Sequence, residues 1–435
     1  MYHKNKLESL YDLVTGDEDA RVCKDIPDRA CNDQPHNFFA YLSANLLGKV
    51  ADEIASAKLI LPWLFGALGV PAAFVGFLVP IRESGVLLPQ LAVAAFIRHL
   101  AIRKWVWVSG AGLSAAALIL MGLAGMSLTG VSAGWMLLAA LVVFSLSRGL
   151  CSVSAKDVLG KTVSKSRRGR LMGLSSGIAG TLTLFIGLGI ETLGRDAGAV
   201  LLSGLLLLGA ALWLPAIFSF ASLREQPGAT EGGGNAFSTA MQNLALLKTD
   251  REFRRFVTTR ILLLGVALAP PFYVLLAQQY SQGLTGLGLL VIAAGLADSL
   301  SAPLWGRMAD NSSRWVMAIA SALAGLLGVL LWGLSASGSY LLTNPWLMAL
   351  FYLTLIIAHS GVRLGRKVYL VDMAGEGNRA AMVAVSNTVI GIVMLAAGVV
   401  GIAAIWIGTA GVILLLALLS LIATFTALRL PEISE

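Results

Sequence analysis

Residues Ala380 to Leu428 read AAMVAVSNTVIGIVMLAAGVVGIAAIWIGTAGVILLLALLSLIATFTAL and contain no charged side chain. As one α-helix this run would measure roughly 74 Å at about 1.5 Å per residue, whereas the hydrocarbon layer of a bilayer is about 30 Å thick. The run therefore predicts two membrane crossings. Gly401 and Gly408 mark the region where the chain is expected to reverse.

The rest of the chain has the same character. Apolar residues make up 57% of the sequence and charged residues only 13%, whereas about a quarter of the residues in a soluble domain are charged. Blocks of about 20 to 28 apolar residues alternate with charged breaks, as expected of membrane spans. The predicted spans 1 to 12 cover residues 39–66, 70–97, 105–126, 133–153, 171–193, 198–221, 256–280, 284–305, 315–336, 344–364, 380–402 and 405–428. The expected fold class is an all-α membrane protein with twelve transmembrane helices in two six-helix bundles.

The distribution of Lys and Arg predicts the orientation of the spans. Of the 32 Lys and Arg residues, only Arg195 falls in an outside loop if the N-terminus is inside. Loops rich in these residues stay in the cytosol, so both termini are expected there. The first 36 residues lack an apolar stretch of the signal-peptide type and should remain as a cytosolic tail. We expect a multi-pass protein of the cell membrane, such as a bacterial inner membrane.

A flexible segment divides the spans into six and six. Residues 226–234 read QPGATEGGG, a composition typical of a linker. The following stretch, from Phe237 to Lys248, has apolar residues on one helical face, which fits either a helix on the membrane surface or a plain spacer helix. The predicted organisation is a tail, an N-terminal bundle, a linker, a C-terminal bundle and a short C-terminus, at residues 1–38, 39–222, 223–255, 256–428 and 429–435.

The two halves also repeat each other. Lys104-Trp105, after span 2, recurs as Arg314-Trp315 after span 8, at an offset near 210 residues. Such a repeat, with six spans on each side of a linker, indicates the internal duplication found in transporters.

The loop between spans 8 and 9 reads GRMADNSSR from Gly306 to Arg314. It resembles the cytosolic loop signature of the major facilitator superfamily, which has a Gly, an Asp four residues later and an Arg four residues after that. Asp310 is the Asp of this string, and Arg307 follows the Gly. In span 4, Arg148 is similar to the intramembrane Arg of the family.

The resemblance covers spans 1 to 12 and implies two bundles that rock around a central site, driven by an ion or solute gradient. It also implies a cytosolic gate formed by Gly306, Arg307, Asp310 and Arg314. Asp298 lies about two helical turns before Gly306 and is assigned to the same gate. The corresponding loop of the first half keeps the bases but has neither the Gly nor the Asp.

Span 1 carries four charged residues. At about 100° per residue, Asn45, Lys49 and Glu53 fall within about 100° of Asp52 on one helical face, whereas Lys58 falls on the far side. Lys49 precedes the two acids by three and four residues and can pair with either, so one carboxylate is left without a counter-ion. A carboxylate that exchanges a proton is a candidate coupling site, and Asp52 and Glu53 are the first choices.

Span 2 places Arg82 and Glu83 near its middle, with Gln90 two turns from Glu83 on the same face. Spans 1 and 2 are sequential and antiparallel, so Arg82 is a candidate for the missing counter-ion. A charge near the centre of a bilayer costs at least about 2.5 kcal/mol on insertion scales. These residues, with Arg148, therefore either line a wet site for a solute or proton, or form a static network that holds the N-terminal bundle together. The sequence leaves both interpretations open.

The second half has fewer polar residues within its spans. His359 in span 10 fits either a proton relay or a packing role, and Asn387 in span 11 is a candidate solute contact. Pro270 and Pro271 should interrupt span 7 close to Tyr273, which borders either a transport cavity or a packing kink.

No motif for chemistry on a substrate is visible. The segment from Ala155 to Thr162 formally resembles a nucleotide-binding loop, but it follows a membrane helix and lacks the first Gly. Cys23 and Cys31, with His36 nearby, fit no common zinc pattern, and we expect no disulfide.

We therefore expect a secondary active transporter of a small polar or ionised solute, coupled to protons and working by alternating access. The expected partners are the solute, protons and the lipid bilayer. We expect a monomer that binds no nucleic acid, metal or cofactor and is not an enzyme. The alternative is a membrane sensor or scaffold on the same fold that does not transport, which a functional requirement for the acidic tail alone would favour.

Overall fold

The computed structural model describes residues 6–15, 26, 28–193, 198–228, 230, 246–281, 286–374 and 379–433. These residues form helices joined by short turns, and no strand occurs among them. Ten helical stretches of the described chain are long and apolar enough to cross a membrane. The predicted all-α membrane fold is confirmed.

Two features relate these ten stretches to twelve crossings. The last stretch, Ala381–Leu428, is 48 residues long and is interrupted by a 3-10 segment at Gly398–Ala403 and by Gly408 with φ 68°. It therefore contains spans 11 and 12. Span 1 is an additional crossing. It is not among the ten stretches, because its charged residues lower its apolar content and a break after Ile54 divides its helix.

The N-terminal half contains spans 1 to 6. Spans 1 and 2 are built from several helices, whereas spans 3 to 6 are each one helix. In chain order the helices are Gln34–Ile54 and Ile60–Ala67 (span 1), Ala72–Val75, Leu78–Leu87 and Gln90–Arg98 (span 2), Lys104–Ser127 (span 3), Gly130–Thr162 (span 4), Lys165–Leu193 (span 5) and Gly198–Ala221 (span 6).

The C-terminal half contains spans 7 to 12. The helices are Arg251–Leu262, Leu264–Leu268 and Pro270–Gln279 (span 7), Leu287–Asn311 (span 8), Ser313–Ala336 (span 9), Pro345–Met373 (span 10), Arg379–Ala397 (span 11) and Ala404–Leu428 (span 12). Span 7 starts a new helix at Pro270, where a residue without an N–H fits the first helical turn. The predicted interruption by the proline pair is therefore observed.

Glycines set the packing inside each half, at matching places. A Cβ atom on Gly122 of span 3 would lie 2.7 Å from Leu207 of span 6, and one on Gly325 of span 9 would lie 2.7 Å from Leu421 of span 12. Helix backbones approach closely where side chains are absent, which is a common way to pack helices in lipid. The same pair of spans is thus joined in the same way in both halves.

The span ends next to the loops rich in Lys and Arg form what we call the basic face, and the opposite ends form the neutral face. The halves meet toward the neutral face and in the middle. There, Gln278 donates a hydrogen bond to the carbonyl of Trp63 (2.9 Å), and a Cβ on Gly76 would lie 2.5 Å from the Cα of Gly401. Toward the basic face, no hydrogen bond or ion pair joins the halves in the described chain.

A short helix, Lys6–Thr15, packs on the basic face of the N-terminal half. Tyr11 is 7% exposed, lies edge-on to Phe38 at 5.4 Å and accepts a 2.6 Å hydrogen bond from Gln34. Arg167, in the turn between spans 4 and 5, donates to the carbonyl of Thr15. The helix is thereby tied to the first helix of span 1 and to the turn between spans 4 and 5.

Cys31, which precedes span 1, is disulfide-bonded. The expectation that the protein contains no disulfide was therefore wrong. Most of the predicted surface helix from Phe237 to Lys248 lies outside the described residues, and only Leu246–Thr249 is seen as helix.

Candidate functional site

A cavity of about 560 Å³ lies between the two halves. Spans 1, 5 and 6 form one wall, and spans 8 and 10 form the other. The lining is mostly small or apolar, with glycines and Ser176 on span 5, and it includes four charged residues: Lys49, Glu53, Asp298 and Arg363. Each half therefore contributes one acid and one base to a space of the size that holds a small solute.

Asp52 is the centre of an ion-pair cluster beside this cavity. It accepts hydrogen bonds from Arg148 (Nε at 2.9 Å and Nη2 at 2.7 Å) and from Arg82 (Nη2 at 3.3 Å). The Arg148 guanidinium also lies 4.7 Å from the ring centroid of Trp213, and Arg82 lies 5.3 Å from that of Phe144. Two bases on one carboxylate, each with an aromatic neighbour, make a fixed cluster that joins spans 1, 2, 4 and 6.

Glu53, the next residue, has a different environment. Its side chain is exposed and lines the cavity, and it has no hydrogen bond or ion pair to any residue in the described chain. Lys49 pairs with neither acid of span 1, because its Nζ donates to Ser176 Oγ at 2.6 Å. The sequence left one carboxylate of span 1 without a counter-ion, and in the structure this carboxylate is Glu53.

Lys58 joins the two halves in the middle of the protein. Its Nζ lies 3.0 Å from Nε2 of His359 on span 10 and 3.7 Å from a carboxylate oxygen of Glu83 on span 2. Its backbone carbonyl accepts a hydrogen bond from Tyr352 Oη at 3.2 Å. His359 and Glu83 therefore meet through Lys58, a residue that helical periodicity had placed on the far side of span 1.

The C-terminal half has three arginines within its spans, and Arg363 is the one that lines the cavity. Arg363 is 60% exposed and approaches Asp298 only to 3.9 Å. Arg366 lies one turn further along span 10, close enough to interact electrostatically with Arg363 and with Glu83 of the facing half. Arg260 on span 7 is 6% exposed and donates to Ser386 (2.6 Å) and to Asn387 (2.9 Å), both of which are neutral.

The remaining residues predicted for the site lie in several places. Asn45 donates to Ser175 Oγ at 2.9 Å and so ties span 1 to span 5. Tyr273 is 2% exposed, and its hydroxyl has no hydrogen-bond partner among the described residues. Gln90 begins the last helix of span 2, with no side-chain hydrogen bond in the described chain. Asn387 accepts a hydrogen bond from Arg260.

The residues assigned to the cytosolic gate do not form one cluster. Arg314 pairs with Glu432, after span 12, and donates to the carbonyl of Leu430 at 3.0 Å. Asp310 and Arg307 are exposed and make no ion pair with any described residue. Gly306 lies in the last turns of span 8. Asp298 lines the central cavity with Arg363.

The N-terminal half has a counterpart of the Arg314 contact that its loop sequence did not reveal. Glu225, just after span 6, accepts hydrogen bonds from the backbone N–H groups of Arg103 (2.9 Å) and Lys104 (2.7 Å), at the start of span 3. It also pairs with Lys161 at 3.1 Å, while Asp157 pairs with Arg103. Each half thus has a glutamate after its last span that holds the start of its third span.

Sequence reasoning missed several of these residues. It ended span 10 at residue 364, so Arg366 was read as part of a loop, although the helix continues to Met373. It also assigned no hydrogen-bond partner to Arg260. Ser176 and Trp213 carry no signal of their own, because a serine or tryptophan within an apolar span is ordinary.

This architecture and its central cavity define a class: a multi-pass membrane protein with the two-bundle fold of solute transporters. A model of the Major Facilitator Superfamily matches residues 255–434. The resemblance seen in the loop after span 8 is thereby confirmed: the C-terminal half of the chain is similar to the Major Facilitator Superfamily over these residues. No curated protein sequence matches the chain.

Solved structures share the fold over nearly the whole chain. A mutant of the nucleoside transporter NupG superposes with a TM-score of 0.72 at 13% identity, covering 90% of this chain and 99% of its own. A POT family transporter in complex with 5-aminolevulinic acid gives 0.69 at 12% identity, covering 90% and 95%. The xylose transporter XylE from E. coli, in an inward open conformation, gives 0.63 at 14% identity, covering 90% and 95%. At these identities the likeness concerns the fold.

Proposed function

We propose that the protein is a secondary active transporter of a small polar or ionised solute, coupled to protons and working by alternating access between its two halves. The basic face is the cytosolic face, by the distribution of Lys and Arg, and both termini lie on it. The central cavity holds the solute, and Glu53 carries the proton.

The contacts between the halves support alternating access. Those described between the halves lie in the middle or toward the neutral face, where Gly286 N donates to Glu191 (3.3 Å) and Ser84 donates to the carbonyl of Gly391 (2.8 Å). Few bonds would have to break for the halves to part on that side. We interpret this arrangement as an inward-facing state, because the bonds between the described residues of the two halves lie in the middle and on the neutral face.

The observation that carries the proposal is the difference between Asp52 and Glu53. Asp52 is held by two guanidinium groups. Glu53 lines the cavity with no partner in the described chain, so nothing holds it in one charge state. A carboxylate that faces a cavity between moving halves can accept a proton from one side of the membrane and release it to the other.

The test uses the purified full-length protein in proteoliposomes that contain a pH-sensitive dye. Members of a metabolite panel are added outside one at a time, and a solute that brings protons in is then used in radiolabelled form. Glu53→Gln should abolish uptake driven by a pH gradient but keep exchange of labelled for unlabelled solute, because the uncharged variant resembles the protonated state.

Glu252→Gln is the matched control, since Glu252 is an exposed acid at the basic face of span 7, away from the cavity. It should leave driven uptake unchanged. Full pH-driven uptake by the Glu53→Gln protein would overturn the assignment of Glu53. Solute movement that ignores the pH gradient in the unmodified protein would overturn proton coupling itself.

A further inference from the structure

The charges near the middle of the spans do not balance. Seven bases stand there against four acids, which leaves a surplus of three positive charges within the membrane. The bases are Lys49, Lys58, Arg82, Arg148, Arg260, Arg363 and Arg366, and the acids are Asp52, Glu53, Glu83 and Asp298. An unpaired charge within a span is costly, so the surplus calls for a counter-charge that the described residues do not supply.

Most of the surplus lies in the C-terminal half. In the N-terminal half, four bases stand against three acids, and Asp52 and Glu83 are paired with them. In the C-terminal half, Arg260, Arg363 and Arg366 stand against one acid of that half, Asp298, although Glu83 of the facing half also interacts electrostatically with Arg363 and Arg366. Asp298 is 3.9 Å from Arg363, beyond hydrogen-bond distance, and both side chains are more than half exposed.

The three arginines are also close to one another. Arg366 lies within electrostatic range of both Arg363 and Arg260, and it has no hydrogen bond or ion pair within the described part of the chain. Like charges at this distance repel. Glu83 of the facing half is within electrostatic range of Arg366 but is already paired with Lys58. The guanidinium groups therefore outnumber the carboxylates near them, which is the composition of a site for an anion.

We propose that the transported solute is an organic anion, and that Arg363 and Arg366 bind its oxyanion group, a carboxylate or a phosphate. This rests on the proposed transport function and adds the charge class of the solute. The two residues are three apart on span 10, so their side chains leave the helix about 5–6 Å from each other on one face. Planar guanidinium groups match the oxygens of carboxylates and phosphates and form paired hydrogen bonds with them.

The geometry also explains how proton and solute would be coupled. The charged residues that line the cavity are two bases, Lys49 and Arg363, and two acids, Glu53 and Asp298. While Glu53 is ionised, the lining has no net charge and Glu53 repels an anion across the cavity. A proton on Glu53 leaves the lining with a net positive charge. Proton and anion therefore favour each other's binding, which is the requirement for symport.

The test compares each anion with a neutral compound of the same shape. Purified full-length protein in nanodiscs is screened by thermal shift with succinate and succinamide, lactate and lactamide, benzoate and benzamide, glucose 6-phosphate and glucose, and glycerol 3-phosphate and glycerol. Ligands of the native state raise its apparent stability. We expect at least one anion to bind and its neutral counterpart to have no effect. The pairs themselves distinguish carboxylate from phosphate.

The binding anion is then titrated against variants. Arg363→Gln and Arg366→Gln should each weaken binding at least about tenfold, since a hydrogen bond to a charged group is lost, and Arg366→Lys should retain part of the affinity. Arg255→Gln removes an exposed arginine at the basic face of span 7 and should leave binding unchanged. Size-exclusion profiles show whether each variant is folded.

Three results would overturn the inference: no anion of the panel binds, a neutral counterpart binds as well as its anion, or neither Gln variant weakens binding. These outcomes differ from failure of the proposed function. Arginine-dependent anion binding without proton movement would remove proton coupling and keep the anion site. Proton movement driven by a neutral or cationic solute would keep coupled transport and reject the anion site.

Discussion

Replacing Asp52 by Asn tests whether the ion-pair cluster beside the cavity is a structural element of the N-terminal half. Asp52 accepts three hydrogen bonds from Arg148, at 2.7, 2.9 and 3.2 Å, and one from Arg82 at 3.3 Å. The amide keeps the volume of the side chain and removes its charge. Two guanidinium groups would then remain at membrane depth with no carboxylate between them.

The expected loss of stability follows from burial. Removing one partner of a buried pair costs about 3–5 kcal/mol, because the other charge stays buried and unpaired. All three side chains here are about one-fifth exposed (18–21%), and Arg148 keeps its contact with Trp213, which reduces the loss. We therefore expect Asp52→Asn to lower the free energy of unfolding by about 2–4 kcal/mol, a large part of a typical total of about 5–15 kcal/mol.

The measurement is a denaturant titration of the purified protein in one detergent, read by tryptophan fluorescence. Arg148→Gln should cost more than Arg82→Gln, since Arg148 makes the shorter and more numerous bonds. Asp310→Asn is the matched control: Asp310 is exposed with no ion-pair partner in the described chain, and a surface change of this kind stays within about 0.5 kcal/mol. If Asp52→Asn behaved like Asp310→Asn, the cluster would be solvated rather than structural, and the contrast drawn between Asp52 and Glu53 would fail.

Three further predictions concern the contacts that hold the molecule together. Gly76→Val should separate the halves on the neutral face, because even a Cβ there would meet the backbone of Gly401. A cysteine placed at Ala72 should then react faster with an impermeant maleimide than it does in the protein with Gly76, and an unchanged rate would contradict this. Glu225→Gln should lower the free energy of unfolding by about 2–3 kcal/mol, because the buried carboxylate accepts hydrogen bonds from two backbone N–H groups and pairs with Lys161. Glu432→Gln, at 39% exposure, should lower it by less than about 1 kcal/mol, and equal losses would contradict this prediction. Tyr11→Ala should release the N-terminal helix and speed its removal by trypsin at least about tenfold, whereas Leu13→Ala, at a position 79% exposed, should leave the cleavage rate unchanged. Equal cleavage rates for the two variants would show that Tyr11 does not hold the helix.

The twelve crossings were predictable because lipid imposes them. A crossing needs about 20 apolar residues in sequence, and that signal survives without any knowledge of tertiary contacts. Of the charged side chains singled out within the spans, Lys49, Glu53 and Asp298 line the cavity, as expected if charge at that depth is tolerated only next to water or a partner. What the sequence does not contain is which acid meets which base: Asp52 and Arg148 are brought together by the packing of span 1 against span 4.

The position of Lys58 shows why helical periodicity failed in one place. An angle of about 100° per residue applies only along an unbroken helix. In span 1 the first helix ends at Ile54 and the second begins at Ile60, so an angle counted from Asp52 has no meaning at Lys58. The break directs the side chain to His359 and Glu83, and so to a neighbouring helix, which was one of the two directions open to a residue on the far side of span 1. No proline marks the break, so it was not predictable from the sequence.

The two glutamates that follow the last span of each half bear on how the halves move. Glu225 binds the start of span 3, and Glu432 binds Arg314 at the start of span 9. These contacts, and those of the glycines in spans 3 and 9, lie within a half and not between halves. Each half is therefore tied together on the basic face, where the described chain shows no bond to the other half. The proposed alternating access needs two parts that each move as a unit, and cross-links of this kind within each half would make such parts rigid.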